Sequence, residues 1–171
     1  MGLIKINNEN YLQAIDLLHR LADHEIDVSH WNKTLSNLMS YAEKKNTTPG
    51  YLLKIKDEFV FVLLTIEHTR QFNGHTLNFV NFSSLYIERE YQYLAGVTLN
   101  EIIKKYHGFT IIDTTANDDS LKILNNLGFS QKSNGSMLKF PNSLSFKTKC
   151  IKRVEKNSSN DYAQYINDHI D

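Results

Sequence analysis

From Tyr51 onward the apolar residues stop recurring at helical spacing. The run YLLKIKDEFVFVLLTIEHTR (51–70) holds two β-rich stretches separated by Lys56-Asp57-Glu58, which reads as a hairpin. Before it the period is that of helices. Tyr11, Ala14, Ile15, Leu18, Leu21 and Ala22 share one face of a helix over 11–22. A second helix is expected from Ser29, a suitable N-cap, with Trp31, Leu35, Leu38, Met39 and Ala42 as its stripe, until KKNTTPG breaks it. A short strand, GLIKI, precedes both.

After the hairpin, QFNGH reads as a loop. TLNFVNFSSLYIERE then reads as a long strand, with an irregularity near Ser83-Ser84. Leu99, Ile102, Ile103 and Tyr106 follow helical spacing, so a helix is expected over about 96–106. FTIID (109–113) has the look of a short buried strand, and NDDSLKILNNLGF (117–129) of a capped helix stopped by Gly128. SMLKF and LSFKTKCIKRV are expected to close the sheet, and EKNSSND to lead into a C-terminal helix, DYAQYINDHI. This order predicts an α/β fold: one mixed sheet flanked by helices, with FTIID parallel to the strand before it. Residues 1–150 are expected to form a single domain, and 151–171 an appendage whose helix fits a homodimer contact or a partner dock.

Composition narrows the function classes. A hydrophobic share of 41% and a charged share of 22% are those of a soluble globular protein. Nineteen basic residues balance nineteen acidic ones, which argues against a nucleic-acid or anionic-membrane partner, short of a local patch. Cys150 is the only cysteine, so no intramolecular disulfide framework exists and a reducing, cytoplasmic setting is expected. No apolar run reaches the length of a membrane span, and MGLIKINNEN lacks a signal-peptide core. The seven histidines show no paired metal-ligand spacing, so no metal site is expected.

Two segments carry a family likeness. LYIEREYQYLAGVTLNEII (85–103) resembles the acyl-CoA motif of the GNAT acyltransferase superfamily: a strand, a turn of the type Q/R-x-x-G-x-G/A, and a helix. The turn here is Gln92-Tyr93-Leu94-Ala95-Gly96-Val97. IIDTTANDDSLKILNNLGF is similar to the family's strand, asparagine and short helix ending in Gly-Phe. The likeness implies a GNAT-like fold and acetyl-CoA, or another acyl-CoA, as cosubstrate. It implies that Leu85 and Ile87 offer backbone groups to the pantetheine arm, with the Ile87 N–H facing the thioester carbonyl as an oxyanion donor. It implies that the backbone from Gln92 through Tyr93, Leu94, Ala95, Gly96, Val97 and Thr98 holds the pyrophosphate, and that Asn117 reaches the cofactor.

The departures bear on chemistry. Ala95 and Val97 stand where glycines are usual, and Gly96 is shifted by one. Leu124 occupies the position of the tyrosine that protonates the departing thiolate in many members, and a leucine cannot donate a proton. Tyr86 is the candidate substitute; His68 and His75, flanking the expected loop, are candidate bases. Asn78, Asn81 and Ser83 also lie on the central strand, while Glu88 and Glu90 read as solvated carboxylates and Cys150 as a packing residue. The expected activity is acyl transfer from acetyl-CoA to a small-molecule, peptide or protein amine by direct attack in a ternary complex. The alternatives are a catalytically degenerate GNAT-fold binding or regulatory protein, and a specialised acyltransferase with a larger acyl group or a macromolecular acceptor.

Overall fold

The computed structural model describes residues 2–22 and 26–130. Five strands form one sheet in the order β1-β2-β3-β4-β5: Gly2–Lys5, Gly50–Ile55, Glu58–Phe72, His75–Ile87 and Thr110–Asp113. Neighbours are antiparallel except β4 and β5, which run parallel from Phe79–Thr110 to Phe82–Asp113. Among the described residues four α-helices flank the sheet: α1 (Tyr11–Leu21), α2 (Val28–Lys45), α3 (Ala95–Lys105) and α4 (Asp118–Asn126). The mixed α/β architecture and the parallel β4–β5 pair are as the periodicity predicts. The expected strands SMLKF and LSFKTKCIKRV, the C-terminal helix and Cys150 lie outside the described residues.

The unbroken apolar run in β3 has a packing cause. Val60, Phe61, Val62, Leu63 and Leu64 are all buried because both faces of the sheet are covered. On one face, Val62, Leu64 and Leu52 meet α1 and α2 through Ala14, Leu18, Trp31 and Leu35. On the other, Phe61, Leu63, Val80 and Phe82 meet α3 through Leu99 and Ile102. The α3 face ends at Tyr106, whose hydroxyl donates to Glu67 Oε1 at 3.0 Å; burial pushes this phenol's pKa well above its usual value.

Three local features differ from the sequence expectations. The cap of α2 is Asp27, not Ser29: Asp27 Oδ1 accepts the Ser29 N–H at 2.7 Å, which places Ser29 in the first turn. QFNGH is no open loop. β3 runs to Phe72 and β4 starts at His75, joined only by Asn73-Gly74, both with positive φ (49° and 78°), the two-residue turn that matches strand twist. His68 is therefore a strand residue. It stacks on Phe79 with ring centroids 5.1 Å apart, and burial, with Arg70 beside it, lowers its pKa. His75 is exposed at the head of β4.

Candidate functional site

The site is organised by a bulge in β4. Val62 pairs with Tyr86 and Leu64 with Ser83, so Ser84 and Leu85 together oppose Leu63, and Ser84 takes a left-handed conformation (φ 52°). The extra residue inverts the side-chain alternation. Before it, Val80 and Phe82 point to the α3 face; after it, Leu85 and Ile87 do. Tyr86 consequently turns to the α1–α2 face, half-buried, with its ring edge-on to Trp31 at 6.2 Å.

Beyond the bulge β4 outruns its neighbour. The β5 pairing stops at Phe82–Asp113, and among the described residues no strand pairs with Ser83 to Ile87 on that side. On the other side β3 stays bound, the Glu88 N–H donating to the Val60 carbonyl at 2.8 Å. Backbone groups alternate sides along an extended strand, so a Glu88 N–H directed at β3 leaves the Ile87 N–H directed away from it. The strand end thus presents a free edge with one face already buried against α3.

The segment that follows is helical from the start. Arg89–Leu94 is a 3₁₀ turn that passes directly into α3, and Ala95 N–H donates to Gln92 O. The expected turn at 92–97 is therefore part of a helix entry. Leu94 and Ala95 are right-handed, and no residue there needs a positive φ. Gln92 and Tyr93 are exposed, Val97 is exposed at the helix start, and Leu94, Ala95 and Thr98 turn inward. A Cβ placed on Gly96 would meet nothing within 4 Å, so the helix entry has open space beside it. Thr98, fully buried, has its hydroxyl oxygen without a hydrogen-bond partner.

Asn117 lies past β5 and caps α4, its Oδ1 accepting the Ser120 N–H at 2.9 Å. The other end of α4 closes through Gly128 (φ 91°). Phe129 N–H reaches Leu124 O and Gly128 N–H reaches Asn125 O, each at 3.0 Å. Leu124 is 3% exposed and packs inward, so it acts as core. Leu85, Ile87 and Leu94 share the α3-face cluster, while Tyr86 stands on the opposite face. Asn81 also holds a buried side-chain oxygen without a partner. Among the described residues no group of three His, Cys, Asp or Glu side chains is placed to hold a metal ion, and no helix is long and apolar enough to cross a membrane.

One contact had no local signal in the sequence. Glu88 does not point to open solvent; Arg20, near the end of α1, donates to its carboxylate. The partners are 68 residues apart, so only the fold reveals that α1 is tied to the end of β4.

No family model matches the sequence, and no characterised protein matches it by sequence. Solved structures match its fold. An aminoglycoside 6'-N-acetyltransferase from Acinetobacter haemolyticus aligns with a TM-score of 0.60 at 14% identity, over 82% of this chain and 99% of that one. A predicted acetyltransferase from Clostridium acetobutylicum, solved with acetyl-CoA, aligns with a TM-score of 0.57 at 10% identity, over 81% and 95%. A protein described as a transcriptional regulator from Bacillus halodurans aligns with a TM-score of 0.58 at 14% identity, over 81% and 99%.

Proposed function

We propose that this chain, which has the fold of the GNAT acetyltransferases, is an acyl-CoA-dependent N-acyltransferase that transfers acetyl from acetyl-CoA to an amine. One observation carries this reading: β4 extends past the end of β5, so among the described residues no strand pairs with Leu85 and Ile87 on that side, beside the entry to α3. The residues suit acetyl-CoA. An extended arm can add to the free strand edge, and the pyrophosphate can approach the open space at Gly96 near the start of α3.

In this reading the amine nitrogen attacks the thioester carbonyl carbon in a ternary complex. The Ile87 N–H stabilises the charge that forms on the carbonyl oxygen. The carbon–sulfur bond then breaks, the sulfur takes up a proton, and the amine releases one to solvent. Positioning supplies much of the rate, so loss of one acid does not abolish turnover. Asn117 is proposed to touch the cofactor while capping α4, and the setting is proposed to be cytoplasmic. Tyr86 is the proposed proton donor. Tyr86→Phe is expected to lower kcat by about 100-fold, the usual range for a positioned acid. Unchanged turnover would remove Tyr86 from the mechanism.

Gly96 gives a test that separates fold from ligand. Gly96→Ala is expected to stabilise the protein by about 0.5–1 kcal/mol, because alanine restricts the unfolded chain and suits a helix. In the same variant acetyl-CoA binding is expected to weaken by about tenfold, since the new methyl enters the space given to the phosphates. Calorimetric binding and thermal melting read the two effects; unchanged affinity would take Gly96 out of the site.

The second reading, a binding or regulatory module without chemistry, is favoured by buried Leu124 in place of a proton donor and by the fold match to a protein described as a transcriptional regulator. Thiol release from acetyl-CoA against a panel of amines separates the readings. Amine-dependent release is expected. Binding of acetyl-CoA without release by any amine would favour the module.

A further inference from the structure

We propose that the cleft beside the end of β4 receives a cationic amine with an apolar stem, as the acceptor of the transfer proposed above; the inference rests on that reading. The cleft, of about 810 Å³, lies between α1, the start of β3 and the residues leaving β4. Leu12 and Phe59 give it apolar lining. Its walls carry four carboxylates, Asp16, Glu58, Glu88 and Glu90, against two guanidinium groups, Arg20 and Arg89. Arg20 is already engaged. It donates to Glu88, and its Nε lies 3.6 Å from Asp16. Among the described residues that line the cleft, Glu58 and Glu90 are left with Arg89 as the one other cation, so their surplus charge is negative.

A concave, negatively charged wall concentrates cations and repels anions, and apolar lining favours a hydrocarbon stem. The position is as telling as the charge. Glu88, on the cleft wall, follows Ile87 directly, and its own N–H is anchored to the Val60 carbonyl on the β3 side. The cleft therefore lies across one strand width from the Ile87 N–H assigned to the thioester carbonyl, which leaves the opposite edge of β4. An amine held there by a second, distant ammonium would lie beside the reacting strand end, while a phosphorylated amine would meet like charge.

Acetyl transfer by the full chain at saturating acetyl-CoA is measured with putrescine, ethanolamine and phosphoethanolamine. All three react through a primary alkylamine and differ in the charge at the far end. The expected order of kcat/KM is putrescine, ethanolamine, phosphoethanolamine, with at least about tenfold between the extremes. The double variant Glu58→Gln, Glu90→Gln is expected to raise the KM for putrescine by about tenfold while keeping the thermal shift with acetyl-CoA. Phosphoethanolamine equalling putrescine, or an unchanged putrescine KM in the variant, would overturn the assignment. Titration calorimetry with putrescine alone is independent of turnover: binding that weakens in the double variant supports the cleft, and no binding to the parent protein overturns it. Loss of the acetyl-CoA shift in the parent protein is a separate result, which strikes the transferase reading.

Discussion

Ile87→Pro is expected to lower turnover by about 10²–10³-fold, the usual cost of removing one oxyanion donor, while the sheet survives. Proline deletes a single N–H, and at this position the deleted group faces the open edge of β4 rather than β3. The neighbouring ladder bond, from Glu88 N–H to Val60 O at 2.8 Å, does not involve it. Ile87 packs part of its side chain against the α3 face, so some stability is lost with its methyl groups. Ile87→Val is the matching control, because it trims the side chain and keeps the N–H. The valine variant is expected to turn over within a few-fold of the parent, and both variants to bind acetyl-CoA. Equal turnover in the proline and valine variants would place the carbonyl elsewhere.

Gly50→Ala is expected to cost about 3 kcal/mol or more in stability, through backbone strain and a forced shift of packed strands. Gly50 opens β2 at φ 151°, and a Cβ there would lie 2.2 Å from the Leu63 carbonyl oxygen and 3.0 Å from the Leu64 Cα. Both obstacles are backbone atoms of β3, in the most buried part of the sheet, so no side-chain rotation relieves them. Gly50 also accepts the Ile6 N–H at 3.0 Å, which couples any displacement to the β1 end of the sheet. For a chain of this size the loss corresponds to a melting point lower by about 6–12 °C. Gly2→Ala, where a Cβ meets nothing within 4 Å, is the comparison and is expected to melt with the parent. A Gly50→Ala protein that melts within about 1 °C of the parent would contradict the packing described for β2 and β3.

What was legible in the sequence was local. NDDSLKILNNLGF encodes its own helix: Asn117 caps the start, Gly128 and Phe129 close the end, and each of these bonds spans only a few residues. The buried run of β3 and the stripes of α1 and α3 were equally readable, since burial on a fixed face imposes its period. The Asn73-Gly74 turn carried a local signal too, the positive-φ pair that hairpins favour, inside a stretch that reads as a loop by polarity. The bulge is harder. Ser83-Ser84 marks an irregularity, but which residue is extra, and hence that Tyr86 and Ile87 exchange faces, depends on the register with Leu63. The tie from Arg20 to Glu88 and the cleft beneath it arise only when α1 folds onto the strand end. No local pattern in either segment encodes them.

The end of β4 and the entry to α3 are proposed to bind an acyl-CoA. Thermal melting of the full chain with acetyl-CoA, coenzyme A and longer acyl-CoAs at millimolar concentration tests this directly. Ligand at a hundredfold excess over its dissociation constant stabilises the native state by about 2.7 kcal/mol. The melting point is then expected to rise by about 5–10 °C for at least one of these ligands. No rise with any of them would contradict the account.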